Sequence, residues 1–217
     1  MFMSVILASN SPRRRQLLGL TGLDFQVFPA DVDETPLEGE LALAYVRRLA
    51  VNKALSVSAH VGSDALVIAA DTTVVDGNQI LGKPVDNEGA KQMLQQLRGR
   101  SHQVYTAIAV LQAGKLLVEC CGTEVPMREY SDSEMYAYIE SGDPLDKAGA
   151  YAIQHAGFHP VDHLEGCYAN VVGLPLCHLV RTFRKIYIDL EADVPSGCQS
   201  TLGYECPIYE AVLQEKI

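Results

Sequence analysis

The sequence predicts an α/β protein with a mixed, largely twisted sheet that is flanked by helices. Strand-like and helix-like segments alternate along most of the 217 residues, with hairpin signals between them, which is typical of this class. An apolar run over residues 65–70 ends at Asp71, as expected for a strand that is buried on both faces. Polar side chains gather where the apolar strands end, and open α/β sheets bind their ligands at such strand ends.

The individual elements follow from apolar spacing and from end signals. After a first short strand, Ser11 can cap a helix whose first position is Pro12. Apolar residues at helical spacing predict a second helix over residues 41–58. Asp76 and Gly77 predict the turn of a hairpin.

Towards the C-terminus, Ser131 and Glu134 match a capping box at the start of another helix. A last strong helix is expected from Leu176 to Leu190, after which the composition becomes polar. We therefore expect a single α/β domain over residues 1–191 and an appended tail over residues 192–217.

Composition narrows the possible partners. The net charge of −10 at pH 7 argues against a broad nucleic-acid-binding face, which needs a basic surface. A small anionic ligand is compatible with it, because a few focused cations can bind one. No apolar stretch approaches the roughly 20 residues of a membrane span. We expect a cytoplasmic protein that binds neither nucleic acid nor membrane.

The cysteines and histidines do not predict a metal centre. The six cysteines form no C-x-x-C pair, so we interpret them, including Cys198 and Cys206 of the tail, as reduced thiols. His155, His159 and His163 are evenly spaced, but the nearby glycine and proline would break a helix that aligned them.

The segment "LASNSPRRRQLL", residues 7–18, predicts an anion site. A helix N-terminus already favours phosphate, Ser9 and Ser11 add hydroxyls, and Arg13 and Arg14 add guanidinium groups. Cations at this end oppose the helix dipole by ~0.3–1 kcal/mol each, which a purely structural helix would avoid. Neighbouring residues point about 100° apart, so at most two of the three arginines can face one ligand, and Arg15 is expected to face solvent. The alternative is an ordinary capped helix with a basic first turn.

Carboxylates and lysines supply the other candidates. Asp71, together with Glu34, could bind a divalent cation or orient a water, although Asp71 could also be a turn residue. Lys53 and Lys83 stand near a helix end and a hairpin, where solvated surface lysines are common. Gln154 has an amide suited to contacting a base edge, but it could equally be a polar loop residue.

Taken together, these residues resemble the Maf family of nucleoside triphosphate pyrophosphatases. The segments that carry the resemblance occur in the family's order and cover roughly residues 4–190. They are "LASNSPRRRQLL", "DVDET", "ADTTVV", "LGKP", "HQVYTAIAV", "PLDKAGAYAIQ" and "VVGLPL". Each is weak alone, and the set is specific.

The resemblance implies a two-lobed fold with an active-site cleft between the lobes, and a cytosolic homodimer. It also implies hydrolysis of a nucleoside triphosphate to the monophosphate and pyrophosphate, with Mg²⁺ or Mn²⁺ as cofactor. The positions that match the family's site residues are divided by role. The family's catalytic acid, a proton acceptor, matches Asp71. Its phosphate- and metal-handling residues match Ser9, Arg14, Glu34, Lys53 and Lys83. Its specificity positions match Arg13, Thr72 and Gln154.

The specificity positions look like those of the branch that acts on dTTP and UTP. Ala152 and His155 depart from the residues that this branch often has, and both lie in the loop beside Gln154. Two alternatives remain: the same reaction on 7-methyl-GTP or another modified nucleotide, and a non-catalytic nucleotide-binding regulator of septum formation.

Overall fold

The computed structural model describes residues 4–217, so the first three residues of the predicted domain lie outside the described residues. Within them, six strands form one mixed sheet, which confirms the predicted fold class. The strands are β1 Val5–Leu7, β2 Phe25–Val27, β3 Leu66–Asp76, β4 Gln79–Leu81, β5 Ser101–Gln112 and β6 Lys115–Pro126. The α-helices are α1 Pro12–Gly19, α2 Ala42–Ser58, α3 Asn87–Leu97, α4 Asp132–Glu140, α5 Tyr168–Val172, α6 Leu176–Arg184, α7 Val194–Leu202 and α8 Tyr209–Leu213.

The order of the strands is β2-β1-β3-β5-β6, with β4 paired to the far half of β3. β1 runs parallel to β2 and β3, whereas β3, β5 and β6 form an antiparallel set. The hairpin after β3 turns at Gly77 and Asn78, one residue later than predicted, because Asp76 still pairs with Gln79. Gly77 has a φ of +60°, which glycine adopts without strain.

The first half of β3 is buried on both faces, as its apolar run predicts. Leu66 and Ile68 pack on one face with α1 and α6, while Val67 and Ala69 pack on the other face against α2. A third cluster forms around Val74 in the second half of β3, together with side chains of α3 and α4. Because successive residues of a strand face opposite sides, the middle of β3 sends neighbouring side chains into different surroundings.

Local signals set most of the helix ends. The Ser11 side chain accepts a hydrogen bond from the backbone N–H of Arg14 at 3.3 Å and so caps α1, and α4 has the predicted capping box. α6 ends at Arg184, whereas the sequence predicted a helix to Leu190. Tyr187 has a φ of +61°, so the chain leaves the helix there, although Leu190 still packs on the core.

Residues beyond 192 form α7 and α8 and pack against the rest of the chain. Val194, Cys198 and Val212 are buried, and the Arg181 guanidinium donates to the carbonyl of Val212 at 3.2 Å. The division at residue 192 stays a prediction. Within residues 4–217, no helix has both the length and the apolar character that a membrane crossing requires.

Candidate active site

The first turn of α1 supplies a half-buried guanidinium at the helix N-terminus. Arg14 donates from Nε to the carbonyl of Gly173 at 2.8 Å and from Nη2 to Thr72 Oγ1 at 3.0 Å. Its Nη1 lies 3.4 Å from Ser9 Oγ. Burial lowers the pKa of Arg14, and the charges of Asp71 and Glu34 oppose this change. Three partners therefore fix the orientation of Arg14.

The three arginines of α1 have different surroundings, as helical geometry predicts. Arg13 and Arg14 are half-buried and face the same cleft, while Arg15 is exposed to solvent. The expectation that Arg15 faces solvent is confirmed, whereas the binding of one ligand by Arg13 and Arg14 stays a prediction.

Asp71 and Lys53 form a buried ion pair across the interface of β3 and α2. Lys53 Nζ lies 2.6 Å from Asp71 Oδ1 and 2.6 Å from Glu34 Oε1, so one ammonium bridges two carboxylates. Asp71 is 6% exposed and Lys53 is 8% exposed. The interpretations of Asp71 as a turn residue and of Lys53 as a solvated surface lysine are therefore wrong.

The two acids that share Lys53 have pKa shifts of opposite sign. Burial raises the pKa of Asp71, and this effect exceeds the opposing charges of Lys53 and Arg14. Burial is also the largest single influence on Glu34, but there the hydrogen bond and charge of Lys53 together with the charges of Lys83 and Arg14 outweigh it and lower its pKa. The difference follows from solvent, since Glu34 stands on an exposed loop.

Two adjoining cavities form one cleft beside this ion pair. They have volumes of about 170 and 310 Å³ and share Arg13, Arg14 and Lys83. The smaller is also lined by Thr72 and Gln154, whereas the larger is also lined by a second set of side chains: Ser9, Glu34 and Lys53. Two of the predicted specificity residues, Thr72 and Gln154, thus border only the smaller cavity, and Ser9 and Lys53 border only the larger one, while the other predicted specificity and phosphate residues border both.

Asp71 lines neither cavity, because Lys53 stands between its carboxylate and the larger one. The other predicted site residues, Ser11 included, border the cleft.

Several residues of the site escaped the sequence analysis. Gly173 accepts from Arg14, and its φ of +116° explains why a glycine stands there. Thr106 bonds to Thr72 at 2.9 Å and donates to the carbonyl of Asn170 at 2.9 Å. Lys147 is 7% exposed and borders the smaller cavity, so it is not a surface lysine. Gly173 stands in "VVGLPL", one of the segments that carry the family resemblance. Its contact with Arg14, like that of Thr106 with Asn170, joins residues far apart in sequence.

The histidines do not form a metal centre. Among residues 4–217, no three His, Cys, Asp or Glu side chains are arranged to hold a metal ion. The His155 ring lies against Tyr138 and accepts from the backbone N–H of Phe158 at 2.9 Å. His155 therefore does not line the cleft, whereas Ala152 does.

This cleft has a helix N-terminus, buried and half-buried cations, and the carboxylates of Glu34 and Asp146 at its wall. These features define an α/β protein with a cleft suited to a polyanion. The chain belongs to the Maf family, since the family profile described as "Maf-like protein" matches residues 4–186.

Relatives extend this result over most of the chain. A protein of Myxococcus xanthus named dTTP/UTP pyrophosphatase is 50% identical over 86% of this chain and 94% of its own length. A protein of Hahella chejuensis with the same name is 44% identical over 87% of this chain and 95% of its own length. A solved structure of a dITP/XTP pyrophosphatase from Mycobacterium abscessus has a TM-score of 0.43 and 15% identity over 85% of this chain and 94% of that chain.

Proposed function

We propose that the protein is a nucleoside triphosphate pyrophosphatase that hydrolyses dTTP and UTP to the nucleoside monophosphate and pyrophosphate. The name shared by the relatives from Myxococcus and Hahella supports the reaction. The observation that carries the proposal is the buried pair of Asp71 and Lys53 at the wall of a cation-lined cleft. It offers a carboxylate for activating water next to groups that bind phosphates.

The phosphates of the substrate would lie in the larger cavity. Arg14, Lys53 and Lys83 reach it from α1, α2 and the connection after β4, and Ser9 and Ser11 add polar groups at the N-terminus of α1. The chain as a whole is acidic, with a net charge of −10. These local cations therefore concentrate positive potential in the cleft, where a triphosphate needs it.

The donor set fits a divalent cation that arrives with the nucleotide. Glu34 and Asp71 converge on one cation, the Lys53 ammonium. Mg²⁺ is commonly bound by one or two carboxylates, with phosphate oxygens and waters completing its coordination, so these two side chains would hold Mg²⁺ or Mn²⁺. When bound, the ion would neutralise charge on the triphosphate.

Asp71 would be the proton acceptor. Lys53 fixes one oxygen of its carboxylate at 2.6 Å, which leaves the other free to bind a water. The raised pKa of Asp71 makes its carboxylate a better base than a solvated aspartate. The water, having given its proton to Asp71, would attack the α-phosphorus, and pyrophosphate would leave.

The orientation of Thr72 favours thymine and uracil over cytosine. Thr106 uses its single hydroxyl hydrogen towards the carbonyl of Asn170, so Thr72 must donate to Thr106 while it accepts from Arg14. Towards the cleft Thr72 can therefore only accept a hydrogen bond. That matches the ring N–H that thymine and uracil carry and that cytosine lacks. Arg13 and Gln154 would complete the selection of the base.

A nucleotide panel tests the proposal. With Mg²⁺, dTTP and UTP should give pyrophosphate faster than CTP and 7-methyl-GTP, and Asp71→Asn should abolish turnover. Preferred hydrolysis of 7-methyl-GTP would favour the first alternative. Tight dTTP binding in calorimetry without any product would favour the regulator, and release of orthophosphate would contradict the proposed reaction.

We also propose that the protein is a cytoplasmic homodimer without nucleic-acid or membrane partners. The resemblance to the family supports the first two features, and the net charge of −10 supports the absence of a nucleic-acid partner. Sedimentation equilibrium tests the dimer, since a monomer at micromolar concentration would contradict it.

A further inference from the structure

Tyr138 of α4 holds the loop that forms one wall of the smaller cavity. The side chain is buried, and its hydroxyl accepts from the backbone N–H of Ala152 at 2.9 Å. The same hydroxyl donates to Asp143 Oδ2 at 2.8 Å. Ala152 lies two residues before Gln154, and both border the cavity. Tyr138 itself does not border it, so any effect of Tyr138 on a ligand passes through the loop.

The far end of the loop meets the same side chain. The Phe158 ring stacks on the Tyr138 ring at 4.4 Å with an interplanar angle of 11°. His155 contacts the Tyr138 ring edge-on at 4.7 Å, and its Nδ1 accepts from the backbone N–H of Phe158 at 2.9 Å. One tyrosine thus contacts the loop at both ends of the segment that carries Gln154.

Asp143, which accepts from the Tyr138 hydroxyl, is itself held in place by Lys147. Lys147 Nζ bonds to the carbonyl of Asp143 at 2.6 Å and to its Oδ1 at 3.0 Å. Lys147 is buried, and it borders the same cavity as Ala152. The hydrogen bonds therefore run from Lys147 through Asp143 and Tyr138 to the backbone of the loop.

We propose that Tyr138 is a positioning residue whose hydroxyl sets the nucleobase selectivity of the cleft. The inference rests on the proposed function. Without the hydroxyl, the Ala152 N–H loses its acceptor and the loop can move, so Gln154 is no longer held against the base. The loss should weaken nucleotide binding and reduce discrimination between bases. Chemistry at the phosphates should change little, because neither Asp71 nor its partner Lys53 borders the smaller cavity.

The test compares Tyr138→Phe with a matched control, Tyr130→Phe. Tyr130 also has a buried ring against Phe158, at 4.7 Å, and its hydroxyl donates to the carbonyl of Leu94 at 2.6 Å. Both variants lose one hydroxyl and keep the ring, but only Tyr138 bonds to the backbone at Ala152.

For Tyr138→Phe we expect KM for dTTP to rise about two- to tenfold, the range that corresponds to one net hydrogen bond. The ratio of kcat/KM for dTTP over CTP should fall by a similar factor, with kcat within about twofold of the wild type. Tyr130→Phe should lower the Tm and leave both KM and the ratio unchanged. Unchanged selectivity in Tyr138→Phe, equal changes in both variants, or a fall in kcat alone would overturn the inference.

A binding measurement separates this inference from the proposed function. The Kd values for dTTP and CTP are determined by calorimetry in the Asp71→Asn background, with and without Tyr138→Phe. If the wild type hydrolyses no nucleotide, the proposed function fails, and the ratio of Kd values still decides the role of Tyr138. A ratio that does not change would overturn it.

Discussion

Lys53 is the residue on which the charge balance of the cleft depends. Its ammonium is shared by Asp71 and Glu34, each at 2.6 Å, and it is almost fully buried. Asp71 is buried as well, so it would lose its compensating charge if Lys53 were removed. An uncompensated buried charge typically costs roughly 3–5 kcal/mol.

Lys53→Met should therefore lower the free energy of unfolding by roughly 3–5 kcal/mol. Adding Asp71→Asn to that variant should recover part of the loss, because the amide needs no counter-charge. Urea unfolding at pH 7 of the wild type, both single variants and the double variant gives the coupling energy. Strictly additive effects would mean that the pair is not a coupled buried pair.

At the scale of elements, the junction of α5 and α6 positions the arginine of α1. α5 ends at Val172, and the carbonyl of the next residue, Gly173, whose φ is +116°, accepts from Arg14. A Cβ on this residue would lie 3.2 Å from Thr72 Oγ1 and 3.4 Å from Arg14 Nε. The glycine therefore serves both the backbone conformation and the close approach of the two side chains.

Gly173→Ala should destabilise the protein and reduce its pyrophosphatase activity at least tenfold, because strain at this φ is combined with displacement of Arg14 and Thr72. Gly203→Ala is the matched control. Gly203 also follows a helix with positive φ, +59°, but a Cβ there meets nothing within 4 Å. The control should cost about 1–2 kcal/mol of stability and leave kcat/KM unchanged. Equal activity losses would contradict the proposed role of Gly173.

The ends of helices and strands could be predicted from the sequence where local residue patterns set them. The cap at Ser11, the capping box at Ser131 and the apolar run into Asp71 are local patterns, and each is found in the structure. The predicted end of this helix at Leu190 was wrong, because apolar spacing continues past the observed end of α6 at Arg184. The positive φ of Tyr187 has no local signal in the sequence.

The site residues divide in the same way. Arg14 and Asp71 were found because each places a charge where the local pattern does not expect one, in the first turn of a helix and at the end of an apolar run, although Asp71 lies in the middle of β3. The contact of Arg14 with Gly173 spans 159 residues, and that of Tyr138 with Ala152 depends on how a loop folds back. Such contacts depend on tertiary packing, which periodicity does not encode.

At the scale of the whole molecule, two buried histidines make stability depend on pH. Burial lowers the pKa of His102 and of His178 to about 4, from 6.5. Between these values the unfolded chain binds more protons than the folded one, so stability falls as the pH decreases from about 6.5 to 4. Above pH 6.5 both histidines are uncharged in the folded and in the unfolded chain, so stability no longer changes with pH through them.

We expect each histidine to contribute at most about 1.4 kcal/mol per pH unit to this loss. Urea unfolding at pH 7, 6 and 5 measures the slope. The double variant His102→Gln/His178→Gln should have a lower stability at pH 7 and a flatter dependence on pH than the wild type. An identical slope in the double variant would show that these histidines are not the cause.

The central claim is that water activated at Asp71 attacks the α-phosphorus of the nucleotide. Hydrolysis of dTTP with Mg²⁺ in water enriched in oxygen-18, followed by mass spectrometry of both products, tests it most directly. If water attacks the α-phosphorus, the label enters the nucleoside monophosphate and pyrophosphate stays unlabelled. Label in pyrophosphate would mean attack at the β-phosphorus and would contradict the proposed role of Asp71.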